Sequence, residues 1–161
     1  MLSGKILFAE QTGTYVLKFV GDVRLTLCST LDQFLATTLE HDDFKSVIID
    51  LTETTGIDST SLGLLAKLSV RLKRRHQQRP TIVSTNEDIT RVLLSMGFDK
   101  VFILIQDCVA CSSELQELDL LLESEERVRE RVLEAHRALM DLNENNREAF
   151  RDLVRSLESD L

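Results

Sequence analysis

The stretch Ile57-Asp58-Ser59-Thr60-Ser61-Leu62-Gly63 sets one carboxylate and three hydroxyls in consecutive positions, directly before a helical apolar repeat. The start of a helix leaves backbone N–H groups unpaired and carries the positive end of the dipole. Such a terminus accepts an anion, including a phosphate bonded to one of its own side chains. Phosphorylating Ser59 would add about -1.5 to -2 charges beside Asp58. The helix end tolerates that charge, whereas a partner pressed against the turn feels the repulsion. The plainer reading of the same residues is a helix cap, with Asp58 or Ser59 accepting from the first turn. Spacing alone leaves both readings open.

Two other groupings could do chemistry. Cys108-Val109-Ala110-Cys111 is a C-x-x-C. A zinc site needs about four ligands, and His41, His76 and His136 offer no companion spacing. A thioredoxin-type pair opens a helix after an early strand, with Trp or Pro nearby; this one comes late and has neither. Buried or half-buried thiols at a domain junction are therefore expected. Arg71-Leu72-Lys73-Arg74-Arg75-His76 is a basic run that reads as a solvated helix end, or as a contact for an acidic partner or the chain's own acidic tail. Nothing resembles a Gly-rich nucleotide loop, a catalytic carboxylate pair or a Ser/His/Asp order, so neither catalytic nor metal residues nor a cofactor are assigned.

Elements must hold these residues in place. Lys5–Ala9 and Tyr15–Val20 are short apolar runs with a turn at Thr12-Gly13-Thr14, which predicts a hairpin. Leu31, Phe34, Leu35, Thr38 and Leu39 follow helical spacing, with Ser29 or Thr30 as cap. Ser46–Leu51 is continuous and apolar, the pattern of a strand buried on both faces. Thr52–Asp58 then reads as a polar loop. A helix follows from Ser59 through Leu62, Leu65, Leu68 and Leu72 into the basic run, whose cations suit a helix C-terminus. Pro80–Ser84 is a strand, Asn86 or Glu87 opens a helix that Gly97 stops, and Val101–Ile105 is a last strand. Strands alternating with short helices imply parallel pairing through helical crossovers. The expected fold is an α/β domain with one mixed sheet of about five strands and helices mainly on one face.

Charge and composition divide the chain. Residues 1–108 carry 12 basic and 13 acidic side chains, residues 109–161 carry 7 basic, all Arg, and 14 acidic. Every Gly, the one Pro and six of seven Phe precede residue 109. This predicts a compact domain over 1–108 and an acidic helical extension over 109–161. Within the extension, Val128, Val132, Ala135, Leu139 and Leu142 are spaced 4, 3, 4, 3, a narrow seam. The pattern slips at Asn143-Glu144-Asn145-Asn146 and resumes in another phase as Phe150, Leu153, Val154, Leu157 and Leu161. Two helices, or one bent helix, are expected, with Glu123/Arg127 and Glu134/Arg137 as surface pairs. The seam either docks on the first domain or receives a partner or second copy.

At 161 residues with a net charge of -8, the chain is long enough for a core without disulfides or metals. A pI near 4.9 argues against nucleic acid as main partner. No apolar run reaches the roughly 20 residues of a membrane helix. The N-terminus lacks the basic and apolar regions of a signal peptide, and three cysteines cannot form a fully paired framework; both point to a cytoplasmic home. With no Trp and one Tyr, a large aromatic ligand pocket is not expected.

The order of elements, Val47-Ile48-Ile49-Asp50-Leu51, the Ile57–Gly63 motif, Val20-Gly21-Asp22, and Arg91–Phe102 together resemble a STAS domain of the bacterial anti-sigma-factor-antagonist type, over roughly residues 3–107. That resemblance implies that Ser59, the hydroxyl directly after the Asp, is phosphorylated by a partner kinase, usually an anti-sigma factor, with Thr60 as the alternative. It implies a metal-dependent serine phosphatase that restores binding, and a chain that is substrate and switch, not enzyme. It places partner binding on Asp22, Asp58, Ser59, Thr60, Ser61 and Leu62. Ser61 stands where the family usually has Gly, and Gly21–Leu25 departs from the usual acidic-apolar-Asp run; both bear on partner identity. The extension is absent from a minimal STAS domain and marks a subfamily with a dedicated partner.

Three functions are thus on the table. The first is a phosphorylation-switched binding module for an anti-sigma factor or serine-kinase-type regulator. The second is a constitutive scaffold assembling through the C-terminal helices, including as a homodimer. The third is a thiol redox protein using Cys108 and Cys111.

Overall fold

The computed structural model describes residues 4–107 and 114–159; Cys108 and Cys111 lie outside them. Strand β1 (Lys5–Gln11) and β2 (Thr14–Val23) form the expected hairpin. Its turn is the pair Thr12-Gly13, at φ 50° and 89°. Two successive positive φ values make the tight turn that matches strand twist, and glycine meets the second without strain. The chain continues through α1 (Cys28–Leu39), β3 (Ser46–Ile57), α2 (Ser59–His76), β4 (Thr81–Val83), α3 (Glu87–Ser95), β5 (Ile103–Ile105), β6 (Gln116–Glu117), α4 (Glu125–Met140) and α5 (Glu144–Ser159).

The strands form one six-stranded sheet in the order β5-β4-β3-β2-β1-β6. β2 through β5 run parallel, joined by helices, while β1 is antiparallel to both β2 and β6. The sixth strand was not expected: Gln116 and Glu117 carry no strand pattern, and their pairing comes from the free edge of β1.

β3 corrects two expectations. Thr52–Ile57 is strand, not loop. β2 extends past two register shifts to pair with it, as in Val20↔Glu53 and Asp22↔Gly56. Ladder hydrogen bonds to a long neighbour outweigh the polar composition, and Thr54 adds a buried bond of 2.8 Å from its hydroxyl to the Phe19 carbonyl. The apolar run is also buried on one face only. Val47, Ile49 and Leu51 are sealed, while Ile48 and Asp50 are half-exposed. Leu31, Leu35 and Leu39 of α1 and Leu62, Leu65, Leu68 and Leu72 of α2 pack in one core with Leu17, Phe19, Ile49 and Leu51.

Ser29 and Thr30 do not cap α1, which starts at Cys28 after a 3-10 turn over Leu25–Leu27. Their hydroxyls turn toward the segment before α4 instead. Ser29 donates to Glu123 Oε2 at 2.7 Å, and Thr30 accepts from the Leu121 amide at 2.9 Å. Asn86 caps α3 as expected, accepting from the Asp88 amide at 2.8 Å. β5 is shorter than the apolar run Val101–Ile105, because Phe98–Lys100 form a 3-10 turn after Gly97 that ends on Val101.

The extension is two helices, and the Asn-rich slip is their corner. Asn143 caps α5 by accepting from the Asn146 amide at 2.8 Å. The buried Asn146 side chain donates to the carbonyls of Met96 and Leu139, each at 2.9 Å. The asparagines thus break the helix and bind the open C-terminal end of α3. The expected surface pairs are replaced. Glu123 pairs with Arg131, Glu134 with Lys67, and Arg137 with Glu158. Glu123 precedes the helix, so i,i+4 spacing does not govern it.

Candidate functional site

Asp58 builds the turn. It caps α2 in extended conformation, and its Oδ1 accepts from the Ser61 amide at 2.8 Å. Oδ2 accepts from the Leu25 amide at 2.7 Å, and the Asp58 amide donates to the Val23 carbonyl at 3.0 Å. Asp58 therefore ties the end of β2, through its amide, and the 3-10 turn before α1, through its carboxylate, to the first turn of α2. Asp22 stands next to it on β2, paired to Arg24 Nε at 2.8 Å. A Cβ on Gly56 would sit 2.7 Å from Asp22 Oδ1, so a side chain there would displace the Asp22 carboxylate across the register pair.

The other residues of the motif divide by depth. Thr60, Ser61 and Leu62 are buried beneath the turn, so none of the three offers a surface to a partner or a kinase in this conformation. The Ser61 hydroxyl contacts the Cys28 thiol at 3.6 Å. Burial, with the Asp58 charge adding to it, pushes that thiol up to about 12, which makes Cys28 an unreactive core residue. Ser59, the first residue of α2, is half-buried.

What covers Ser59 is α4. Ser59 Oγ lies 2.8 Å from His136 Nε2, and His136 Nδ1 lies 2.7 Å from the Val132 carbonyl. A carbonyl only accepts, so Nδ1 carries the proton. In the neutral ring Nε2 is then the acceptor and the Ser59 hydroxyl the donor. His136 is 2% exposed, with the Phe150 ring of α5 edge-on at 5.1 Å. Four residues along α2, a Cβ on Gly63 would collide with the Ala135 carbonyl. The glycine thus sets how closely the two helices approach. Lys67, four residues further, meets Glu134 at 2.9 Å.

A partly buried ionic cluster closes the far side of this contact. Arg131 of α4 hydrogen-bonds Asp32 of α1 and pairs with Glu123 at 2.6 Å. The Arg131 guanidinium, helped by the Ser29 hydroxyl, holds the Glu123 carboxyl down at about 2. Lys67 and Arg71 approach Asp32 at 3.6 and 3.7 Å. The basic run reaches mainly α1, where Arg71 meets Asp32 and Arg75 meets Glu40.

Sequence reasoning did not find His136 or Arg131. His136 lies 77 positions from Ser59 and shares no motif with it. The one available signal was its place beside Ala135 on the apolar seam, where a polar ring needs a buried partner. Among the described residues no group of His, Cys, Asp and Glu could hold a metal ion. Among them, too, no helix is long and apolar enough to cross a membrane.

Comparison with known proteins agrees with the fold. A family model for the STAS domain matches residues 5–113. Among solved structures, an anti-sigma factor antagonist from Mycobacterium paratuberculosis superposes with a TM-score of 0.55 at 22% identity, covering 63% of this chain and 85% of its own. The anti-sigma factor antagonist SpoIIAA in its unphosphorylated form superposes with a TM-score of 0.54 at 14% identity, covering 63% and 87%. No curated protein matches the chain. With the family matched over most of its length, a sheet of STAS type and helices continuing beyond it, this chain belongs to the STAS domain family.

Proposed function

We propose that this protein is a phosphorylation-switched binding regulator of the anti-sigma-factor-antagonist kind, without chemistry of its own. Residues 1–108 are the STAS unit, and 109–161 are an appended regulatory extension. The unphosphorylated form binds an anti-sigma factor or serine-kinase-type regulator in the cytoplasm. Phosphate on Ser59 weakens that complex, and a metal-dependent serine phosphatase restores it. Asp22 and Asp58 shape the turn that the partner meets.

One observation carries the reading: Ser59 Oγ stands at the first turn of α2, half-buried and hydrogen-bonded to His136, beside a carboxylate already spent on capping. Phosphate there meets the positive end of the helix dipole and leaves the cap intact. Thr60 is the weaker acceptor because it is buried. The scaffold reading needs the α4 seam free for assembly, and Ala135, His136 and Leu139 are already buried.

The test is to map phosphosites on the protein purified from cells and to capture partners with Ser59→Ala and Ser59→Asp. Ser59→Asp should retain at least tenfold less partner than Ser59→Ala. Equal capture by both overturns the switch.

A further inference from the structure

Ser59 is the first of three consecutive hydroxyls, and it is the one with an imidazole on it among the described residues. Its hydroxyl donates to His136 Nε2 at 2.8 Å, and the Val132 carbonyl holds the ring in that tautomer by accepting from Nδ1–H at 2.7 Å. A nucleophile within hydrogen-bond reach of a base, with the base oriented by a third group, is the arrangement that activates a serine. Thr60 and Ser61 lack it: both are buried, and Ser61 faces the Cys28 thiol. The Asp58 carboxylate is engaged by the amides of Ser61 and Leu25, which leaves the imidazole as the base in reach of Ser59 Oγ. We propose that His136 is the general base that takes the Ser59 hydroxyl proton when Ser59 receives a phosphoryl group, so that the extension supplies a catalytic residue for modification of the STAS unit.

In the step itself, a lone pair of Ser59 Oγ forms a bond to the γ-phosphorus of a nucleoside triphosphate held by the kinase. The bond from that phosphorus to its bridging oxygen breaks, the nucleoside diphosphate leaves with the electron pair, and the hydroxyl proton passes to His136 Nε2. Imidazole is the side-chain base suited to proton transfer at neutral pH. His136 is 2% exposed with the Phe150 ring edge-on, which keeps water from Nε2. A buried imidazolium needs a counter-charge. The reaction makes one, because the new phosphate sits on the oxygen that gave up the proton. Ser59 is only half-buried, so the residue keeps a side open to the donor while α4 stays in place. Gly63 contributes by letting the Ala135 backbone come close, which brings the next residue, His136, over Ser59. The α4 contact is therefore part of the reactive arrangement. This deepens the phosphorylation reading by naming the base, and it rests on that reading only for the donor.

The experiment needs no kinase. The full chain is treated with a biotin-tagged ethoxy fluorophosphonate, whose phosphorus undergoes the same attack: Ser59 Oγ bonds to phosphorus, fluoride leaves, and the proton goes to Nε2. Mass spectrometry reads the labelled serines and their rates. Ser59 should label at least about a hundredfold faster than Ser95, which is exposed and has no imidazole on it. His136→Gln keeps an acceptor on the Ser59 hydroxyl but cannot take the proton. It should lower Ser59 labelling by about a hundredfold or more, with amide exchange in β3 unchanged. In His136→Ala, added imidazole should restore labelling at Ser59, which a purely structural role of the ring would not produce. The proposal is overturned if Ser59 of the unaltered chain labels no faster than Ser95, or if folded His136→Gln labels like the parent. Should β3 exchange rise in His136→Gln, the imidazole arm decides, and a rate unchanged by imidazole overturns the proposal. Equal partner capture by Ser59→Ala and Ser59→Asp would remove the phosphate switch alone and leave the reactive pair standing.

Discussion

Helix α2 has two working sides, and they are made of different material. Its inner side is Leu62, Leu65, Leu68 and Leu72, all sealed against α1 and the sheet. Its outer side toward α4 is a hydroxyl, a glycine and a lysine, met by a histidine, an alanine and a glutamate. The inner contact is held by apolar area removed from water, which has no alternative partner in solution. The outer contact adds hydrogen bonds and a charge pair of modest net worth to the burial of Ala135 and Leu139 and to the close approach at Gly63. The two sides still meet in one core, because Leu139 of α4 packs with the leucines of α2.

The largest expected break is on the inner side. Leu65→Ala leaves a cavity at the centre of the core and should cost about 3 kcal/mol. Denaturant unfolding followed at the sheet and at α4 should lose the same stability, because the whole domain depends on that side. On the outer side the effects should separate. Arg131→Ala leaves Glu123 with only the Ser29 hydroxyl and Asp32 with the more distant Lys67 and Arg71, and should cost about 2 kcal/mol. Amide exchange should rise over α4 and α5 and stay unchanged in β3. Equal rises in both would show that the two sides are one cooperative unit.

Acid should loosen the outer side first. Glu123 is held at about 2 in the folded chain, against an unfolded value of about 4.3. A depressed carboxylate contributes its stability above the unfolded value and loses it as pH falls toward the folded one. Exchange over α4 should therefore accelerate as pH drops from about 4.5 to 2, once corrected for intrinsic exchange. Ser29→Ala removes the second donor to Glu123 and should move that loss to higher pH.

The inner side was legible in the sequence, because a leucine at every third or fourth position states which face of α2 is buried. The Asp58 cap and the helix break at Asn143 could be read the same way, since each is local. The outer side was not. Ser59 and His136, or Arg131 and Asp32, pair across 77 and 99 positions, and no local rule connects them. The seam Val128–Leu142 announced that something would be buried against α4 without saying what. β3 misled for a related reason. Thr52–Ile57 look like loop until the length of β2 is known, since the partner strand supplies the order that the residues lack. Contacts that form by complementarity between distant segments are visible only once both are placed.

The weakest link sharpens the comparison most. Lys67 and Glu134 pair at 2.9 Å, but Glu134 is half in water, and such pairs contribute about 0.5 kcal/mol or less. Glu134→Ala should therefore leave global unfolding unchanged within error. The outer side needs the pair less for strength than for register, since it fixes which α4 residues face Ser59 and Gly63. A tail that binds through register should respond to reversal: Lys67→Glu alone sets an acid against both Glu134 and Asp32, and Lys67→Glu with Glu134→Lys restores the pair to α4 while leaving the contact with Asp32 repulsive. Exchange over α4 should rise in the single variant and return in part in the double one, the remainder reporting the lost contact with Asp32. If the single variant exchanges like the parent chain, this charge pair plays no part in seating α4, and position rests on Gly63 and His136 alone.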